Sequence, residues 1–368
     1  MTGSGTTRVD PADLGRAIRS KALSLGFERV GFSNAAVPDE ARHFERWLDA
    51  GMHAGMRWME TSRTRRLEPA TVLEGVRSLI VVALSYDSPG APEPAAPEGG
   101  IVARYARVQD YHQVMGERLT ELEAFIESRA PGHRARAYVD TGAILERMWA
   151  ARAGIGWVGK NSLILNKDMG SFFFLGVVLT TVRLPPDQPA TDQCGACTLC
   201  IEACPTQAIV EPRIVDSRRC ISYHTIELRG DIPDAYRVPL GTRVFGCDAC
   251  QEACPWNAPT AARSLPEAFT PREDWSSPSL TDLLTLSHTS YLERFRGSAI
   301  KRATYQGLKR NAAIALGNRL AARSGDARAR RDAIAELSAV AADKKEPVSL
   351  RRHAAWALRR ASNSFSRR

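Results

Sequence analysis

The eight cysteines of this 368-residue chain all lie between residues 194 and 254, a density typical of a metal centre or a disulfide framework. The first run has the spacing C-x2-C-x2-C-x3-C-P. The second has C-x2-C-x3-C-P, with Val244 where a full copy would place its first cysteine. Cys220, between the two runs, is the remaining thiol. Soft thiolates of this kind favour zinc, copper(I) or iron–sulfur clusters.

The spacing of the first run is that of bacterial ferredoxins, in which three cysteines hold one 4Fe-4S cluster and the fourth binds the other. It therefore predicts two clusters that together use all eight cysteines. The first set is Cys194, Cys197, Cys200 and Cys254, and the second set is Cys204, Cys220, Cys247 and Cys250. Two zinc sites are the alternative, because zinc also binds C-x2-C pairs. The third close cysteine and the following proline favour iron–sulfur clusters.

Free thiolates of this kind require a reducing compartment. The N-terminal residues MTGSGTTRVDPADL contain no apolar stretch that could act as a signal peptide. The longest apolar runs, SLIVVAL and FFFLGVVL, are far shorter than the roughly 18 residues of a membrane span. We therefore predict a cytoplasmic protein without a membrane anchor, in which disulfides are rare.

The elements that position the cysteines divide the chain into three predicted domains. Residues 1–185 alternate helical and strand patterns on either side of a loop rich in proline and glycine at residues 88–100, which predicts a mixed α/β domain. Residues 186–258 carry the clusters. Residues 259–368 show helical patterns, and LKRNAAIALGN recurs 42 residues later as LRRHAAWALRR. That period is typical of HEAT-type two-helix repeats.

The C-terminal part is strongly basic. Residues 299–368 contain 17 lysines or arginines against 5 acidic residues, whereas the whole chain has a net charge of +9. Clustered basic side chains on helices indicate a phosphate-binding face for nucleic acid. The predicted contacts are Lys301, Arg302, Lys309, Arg310, Arg351 and Arg352. The alternative is an ordinary solvated basic face.

Further motifs in the α/β part are ambiguous. GIGWVGKNS, starting at Gly154, fits G-x-G-x-x-G but follows a predicted helix, whereas a dinucleotide fingerprint follows a strand. DYHQVMG is close to the D-x-H-x-x-G of cobalamin proteins, but its glycine is one residue too far, which favours a packed or solvated His112. Asp140 follows a predicted strand, and its spacing favours a helix N-cap over a ligand at the sheet edge. Lys160 and Arg147 could contact an anion or solvent.

In combination, these segments resemble the epoxyqueuosine reductases, which complete the modified wobble nucleoside queuosine in certain tRNAs. The resemblance covers nearly the whole chain. It rests on RYARVQDYH, YVDTGAILER, GIGWVGKNSLIL, CISYHTIELRG, the two cysteine runs and the C-terminal repeat. The chain departs from the family pattern at Val108 and Gln109, where Gly-Arg is expected, and at His224, where an aliphatic residue is usual.

The resemblance implies an α/β (α+β) cobalamin-binding core, an inserted bacterial-ferredoxin-like two-cluster domain and a C-terminal α-helical HEAT-like repeat domain. Electrons would pass from an external low-potential donor through both clusters to a cobalt that no protein histidine binds. Asp140 would be the proton donor, with a pKa raised by burial beside the corrin. Further expected pocket or cofactor contacts are Arg63, Tyr105, Lys160 and Asn161.

The substrate would be an epoxide-bearing base in the anticodon loop of tRNA, splayed into the pocket of a monomeric enzyme. Two other functions remain open from the sequence. One is a cobalamin-dependent reductase of a small molecule, similar to the reductive dehalogenases. The other is an electron-transfer or RNA-binding module without catalysis of its own.

Overall fold

The structure, a computed structural model, describes residues 10–86, 99–258, 265–322 and 326–363. Most of the predicted loop at residues 88–100 lies outside the described residues. The strands are β1 (Arg29–Asn34), β2 (Ser78–Ser85), β3 (Ile101–Val102), β4 (Ala135–Tyr138), β5 (Trp157–Val158), β6 (Ile164–Leu165), β7 (Phe173–Thr180), β8 (Ile209–Glu211), β9 (Ile214–Val215) and β10 (Arg243–Phe245).

The helices of the N-terminal part are α1 (Pro11–Ser24), α2 (Ala41–Asp49), α3 (Arg57–Thr61), α4 (Arg63–Leu67), α5 (Tyr111–Arg129) and α6 (Glu146–Arg152). Those of the cluster segment are α7 (Leu199–Glu202), α8 (Asp234–Arg237) and α9 (Ala249–Glu252), with a π-helical turn at Tyr223–Glu227. The C-terminal helices are α10 (Glu273–Ser276), α11 (Leu280–Thr285), α12 (His288–Arg294), α13 (Tyr305–Ala321), α14 (Ala327–Ala342) and α15 (Val348–Asn363).

The N-terminal part is built on a four-stranded sheet with the order β1-β2-β7-β4, in which every neighbouring pair is antiparallel. Strand β2 is buried along its whole length. On one face, Ile80 and Val82 pack with apolar side chains of α1 and α5. On the other, Leu79 and Val81 pack with residues of α6. Because both faces are covered, β2 is continuously apolar in sequence instead of alternating.

The mixed α/β composition predicted for this part is confirmed, but the sheet is not parallel. The carboxyl-end crevice that we invoked for Asp140 belongs to open parallel sheets. Here β4 runs antiparallel to β7, its partner in the sheet. The position of Asp140 is therefore set by the loop that follows β4, and not by a switch point of the sheet.

The cluster segment contains little regular structure. Helices α7 and α9 are four residues long, carry Cys200 and Cys250 respectively, and pack against each other. Strand β10 pairs in parallel with β3, which precedes α5 in the chain. This pairing attaches the second cysteine run to the segment that leads into the α/β core.

The C-terminal part is helical, as expected. Leu308, Ala312 and Leu316 of α13 share one core with apolar residues of α14 and α15. Helices α13 and α15 cross closely at Gly317, where an added Cβ would lie 2.6 Å from the Cα of Ala357. The HEAT-like assignment and the domain boundaries stay predictions. None of the described helices is both long and apolar enough to cross a membrane.

Candidate active site and cluster-binding segments

The first set of cysteines surrounds a cavity. Cys194, Cys197, Cys200 and Cys254 line about 380 Å³ of space together with Lys160, Asn161 and Trp256. Trp157 donates a hydrogen bond from Nε1 to the Sγ of Cys194 at 3.4 Å. Hydrogen bonds to ligand sulfurs are among the features that tune an iron–sulfur cluster. Four convergent thiols around one cavity fit a 4Fe-4S cluster at this site.

The second set is more deeply buried. Burial raises the pKa of Cys250, and the neighbouring Cys220, Cys247 and Cys204 raise it further. Burial likewise raises the pKa of Cys247, to about 11, with Cys220 adding to the effect. In the first set the charges that raise the pKa of Cys200 are those of Cys254, Cys194 and Cys197. The electrostatic neighbours therefore fall into the two sets that the spacing predicts, and iron would have to displace the thiol protons.

Lys160 and Asn161 lie at the first cavity. The Nζ of Lys160 donates to the carbonyl oxygens of Gly195 and Cys197, both at 2.8 Å. The Nδ2 of Asn161 donates to the carbonyl oxygen of Cys250 at 3.4 Å. These side chains hold the loops that carry ligands of both sets. Their predicted contact with a corrin stays a prediction.

A buried polar cluster links α13 to the segments that carry Cys220 and Cys247. The Nδ2 of Asn311 donates to the carbonyl oxygens of Thr225 and Val244, each at 2.8 Å. The Oγ1 of Thr225 accepts a hydrogen bond from the backbone N–H of Gly246 at 2.9 Å. Gly246 has a φ of 69°, and an added Cβ would lie 2.5 Å from the Cβ of Ala103, so only glycine fits before Cys247.

The prediction that Lys309 and Arg310 contact phosphates is wrong, because both are only 4% exposed. The guanidinium of Arg310 donates to the carbonyl oxygens of His224 at 2.7 Å, Leu228 at 2.9 Å and Gly230 at 2.5 Å. Burial lowers its pKa to about 10. The ammonium of Lys309 is paired with Glu346 at 2.5 Å. Helix α13 is packed on nearly all sides. Its basic residues suggest an exposed helix when only the sequence is known.

The arginines among the other predicted nucleic-acid contacts are held by partners within the protein. Arg302 makes a two-point pair with Glu227, at 2.7 and 3.0 Å, and its side chain is 54% exposed. Lys301 is exposed beside it. On α15, Arg352 donates to Asp231 at 3.2 Å and Arg351 donates to the carbonyl oxygen of Ala341 at 3.3 Å.

Arg310 provides a test of this correction. Replacing it with methionine leaves three carbonyl oxygens without their buried donor, so we expect Arg310→Met to lower the free energy of unfolding by about 2–4 kcal/mol. The matched Arg352→Met removes an exposed pair and should cost less than about 1 kcal/mol. Urea unfolding under anaerobic conditions measures both. Equal stability of the two variants would contradict the structural role of Arg310.

Asp140 lies two residues after β4, at a φ of 52° in the left-handed region. Its backbone N–H donates to the Oε1 of Glu146 at 2.7 Å, and its Oδ2 accepts from the Tyr111 hydroxyl at 2.9 Å. The Nε2 of His112 is 3.6 Å from the same oxygen. The side chain is 63% exposed. Helix α6 begins at Glu146 and has no side-chain cap, so the N-cap interpretation of Asp140 is wrong.

The charges around Asp140 lower its pKa in this chain. Partial burial raises the pKa, but hydrogen bonds from His112 and Tyr111, with the charges of His112 and Arg147, bring it below the usual value. The protein residues alone therefore do not raise the pKa of Asp140, although we expected burial beside the corrin to raise it. Burial by contrast raises the pKa of the partly buried Glu146 to about 8, with the charge of Asp140 adding to the rise.

Aromatic rings border the exposed carboxylate. Tyr111 stacks on Phe174 with 4.2 Å between ring centroids and on His112 with 4.1 Å. Tyr105 lies 6.2 Å from the Tyr111 ring and 5.9 Å from that of Phe245 in β10. The polar edge of Tyr111 thus faces Asp140 while its ring belongs to an apolar wall. An apolar wall beside an accessible carboxyl group suits a large planar ligand.

Two placements near Asp140 differ from the sequence-based expectations. Arg63 is paired with Asp49. Arg66, one turn further along α4, is the arginine whose guanidinium donates to the carbonyl oxygen of Ile144, in the loop between Asp140 and α6. His112, which the imperfect motif led us to discount, lies beside Asp140. Its position follows from the N-cap of α5, where Asp110 accepts from the His112 N–H at 3.0 Å.

The fold and the two thiol sets define an iron–sulfur oxidoreductase, and comparison with known proteins identifies its family. A model of the 4Fe-4S double cluster binding domain matches residues 193–257, and a model described as epoxyqueuosine reductase QueG, DUF1730, matches residues 66–141. The epoxyqueuosine reductase of Pseudomonas aeruginosa is 40% identical over 95% of this chain and 95% of its own. That of Gloeobacter violaceus is 45% identical over 82% of this chain and 95% of its own.

Solved structures agree. An epoxyqueuosine reductase with a tRNA-Tyr epoxyqueuosine-modified stem loop has a TM-score of 0.85 and 30% identity, covering 98% of this chain and 95% of that one. The Bacillus subtilis enzyme, solved with its catalytic aspartate loop swung out of the active site, has a TM-score of 0.87 and 28% identity over the same shares. This chain belongs to the epoxyqueuosine reductase family.

Family membership confirms the predicted oxidoreductase, and the match to the 4Fe-4S double cluster binding domain confirms the two 4Fe-4S clusters. Cobalamin stays the cofactor that the family resemblance implies. Family membership decides against zinc, and it favours the enzyme over a module without catalysis. The arrangement around Asp140 fits the corrin in one further respect. The Nδ1 of His112 lies 2.7 Å from Asp110 and its Nε2 faces Asp140, so both ring nitrogens are directed at carboxylates. His112 is therefore engaged at both nitrogens, and the expectation that no protein histidine binds the cobalt stays a prediction.

Proposed function

We propose that this protein reduces the epoxide of epoxyqueuosine to queuosine in the anticodon loop of tRNA, with Asp140 as the proton donor. The observation that carries the proposal is the 63% exposed Asp140 carboxylate, fixed by Tyr111 and Glu146 beside an aromatic wall, in a chain of this family. Bound cobalamin supplies the strongly reducing nucleophile that the epoxide carbon requires.

The protein's own part in the reaction is to position and protonate. Opening an epoxide places negative charge on the oxygen, and a carboxyl group within reach can neutralise it. The backbone N–H of Asp140 is held by Glu146 and its side chain by Tyr111, which fixes both ends of the residue. The exposed side of the carboxyl group is where a splayed base can approach.

We infer that electrons pass from the first thiol set to the second and then toward Asp140. Cys197, in the first set, is exposed, which is where an external low-potential donor can approach. The second set is connected to the active site by its own segment, because the Asp248 carboxylate accepts from the Arg104 N–H at 2.7 Å and Phe245 contacts Tyr105. Electrons would therefore enter at the first set.

We expect the enzyme to act as a monomer.

The tRNA contacts closest to Asp140 are Lys301 and Arg302. The segment that carries them is joined to the start of α5, because the Asp110 N–H donates to the carbonyl oxygen of Gly297 at 2.8 Å. The pair with Glu227 raises the pKa of Arg302, and the Asp140 carboxylate adds to this rise. Phosphates near the entrance would meet these two cations first. Arg351 and Arg352 stay predicted contacts at a separate position on α15.

A conversion assay tests the function and these contacts together. Anaerobic protein with its cofactors and a low-potential reductant should convert epoxyqueuosine-bearing tRNA to queuosine tRNA, which mass spectrometry detects as the loss of one oxygen. The double variant Lys301→Ala with Arg302→Ala should bind tRNA more weakly. Its log–log salt slope should be about 1.4–1.8 smaller, because each phosphate contact contributes about 0.7–0.9.

The control for this assay is Lys344→Ala with Lys345→Ala, which removes two exposed charges from the turn before α15. It should leave the slope unchanged. Equal slopes in both double variants would contradict the assignment of Lys301 and Arg302. Failure to convert the tRNA, combined with reduction of a halogenated small molecule, would instead favour the dehalogenase-like function.

A further inference from the structure

The feature that the proposed reaction does not yet use is a line of three titratable side chains, Asp110, His112 and Asp140. The Nδ1 of His112 is 2.7 Å from the Oδ1 of Asp110, and its Nε2 is 3.6 Å from the Oδ2 of Asp140. Among the described residues, that buried Nε2 has no closer hydrogen-bond partner. The ring is also stacked on Tyr111. The imidazole is thus fixed between two carboxylates.

The balance of the proposed reaction, on which this inference rests, requires more than one proton. Converting an epoxide to an alkene breaks both carbon–oxygen bonds and releases the oxygen as water. This consumes two electrons, which the external donor supplies, and two protons. Asp140 can pass on only one proton at a time and must receive each proton from another acid, because its pKa lies below the usual value. A second acid is therefore needed within reach of Asp140.

The charges show where the resting proton resides. Burial lowers the pKa of His112, but the Asp110 and Asp140 carboxylates raise it to about 9 overall. The pKa of Asp140 is instead held below its usual value. The charged and titratable groups around this pair are Asp110 at the start of α5, the Tyr111 hydroxyl, Glu146, and the guanidinium groups of Arg66, Arg147 and Arg302. Burial raises the pKa of Glu146 to about 8, so its titration is distinguished from that of His112 by the His112→Gln variant. At neutral pH the imidazole is charged and the carboxyl group is ionised.

We propose that His112 is the proton reservoir of the active site: its Nε2 passes a proton to the Asp140 carboxylate, from which the oxygen of the opened epoxide takes it. Asp110 fixes the ring through Nδ1. The buried Nε2 regains its proton between transfers through the Asp140 carboxylate, which is 63% exposed to water. His112 acts through Asp140 and is a positioning residue in this reaction.

The first test is the pH dependence of single-turnover conversion by the reduced, fully loaded enzyme. The wild-type rate should fall as pH rises through about 9, the pKa at which His112 loses its proton. His112→Gln should lower the rate at pH near 8 by about 10²-fold. His112→Gln should also abolish the decrease in rate near pH 9. The cluster content and the tRNA affinity of this variant should equal those of the wild type. The matched control is His133→Gln, an exposed histidine that contacts Thr181. Its profile should equal the wild type.

The second test does not depend on activity. In the full chain labelled at its histidine side chains, NMR titration should give His112 a pKa near 9. Asp140→Asn and Asp110→Asn should each lower this value by about one pH unit or more, because each removes a neighbouring negative charge. An ordinary histidine pKa that neither substitution changes would overturn the inference.

The two proposals can fail separately. If Asp140→Asn abolishes conversion while His112→Gln keeps the wild-type rate and pH profile, the reservoir is wrong and the role of Asp140 stands. If Asp140→Asn converts the tRNA at the wild-type rate, the proton donor in the proposed function is wrong, and the reservoir fails with it.

Discussion

Replacing Asp140 with asparagine is expected to lower the turnover of epoxyqueuosine-bearing tRNA by about 10²- to 10⁴-fold, the usual contribution of a positioned general acid. The amide oxygen can still accept from the Tyr111 hydroxyl, but the amide cannot deliver a proton. Single-turnover assays on anaerobic protein, with iron, cobalamin and tRNA binding measured in parallel, give the result. We expect only the chemical step to change.

Asparagine is the informative substitution because of the backbone at this position. Asp140 has a φ of 52°, and asparagine tolerates the left-handed region better than alanine or other uncharged residues with a Cβ. The loop should therefore keep its conformation and its hydrogen bond to Glu146. The matched control is Asp13→Asn, which removes an exposed carboxylate of α1 and should retain full activity. Near-wild-type turnover of Asp140→Asn would mean that the proton comes from another group.

Replacing Cys220 with alanine is expected to remove the second cluster and to abolish turnover. Cys220 is partly buried, and burial raises the pKa of its thiol while the charge of the neighbouring Cys204 adds to the rise. The variant leaves three of the four thiols of the second set, and the alanine side chain offers no ligand atom in place of the fourth. Iron analysis should fall from about eight to about four atoms per chain, since each cluster contains four.

Cys254→Ala is the paired variant, because Cys254 lines the first cavity although it lies in the second cysteine run. It should remove the other cluster, so the two variants should retain different electron paramagnetic resonance signals after reduction. The experiment tests the assignment of Cys254, from the second cysteine run, to the first cluster. If Cys254→Ala and Cys220→Ala lose the same signal, or if both clusters survive in Cys220→Ala, the two sets are wrongly divided.

The sets of cysteines could be predicted because their information is local. Spacings of two and three residues bring thiols together within one turn and one short helix, as α7 and α9 show. Cys220 was assigned from a distance, as the remaining thiol, and its proximity to Cys250 agrees with that assignment. Helix α5 also rests on local signals, because Asp110 caps its N-terminus ahead of the helical segment.

The basic C-terminal helices show where such patterns are insufficient. Arg310 and Arg352 look alike in sequence, each within an aligned basic pair of the 42-residue repeat. In the fold, Arg310 is buried against three carbonyl oxygens of the cluster segment, whereas Arg352 is exposed beside Asp231. The difference depends on what packs against each helix. Clustered charge therefore indicated a nucleic-acid partner more reliably than it indicated the contacting residues.

The sequence by itself determined the ligand chemistry of the clusters and the apolar runs that form strands β2 and β7, because residue type and short spacing decide these. Asp140 became the candidate acid only through the family resemblance, since its spacing alone favoured a helix N-cap. Only the tertiary structure decided the surroundings of that acid. His112 and Glu146 are neighbours of Asp140 through the loop after β4, and their charges set its protonation. Such contacts depend on long-range packing between β4, α5 and α6, and a local pattern carries no record of that packing.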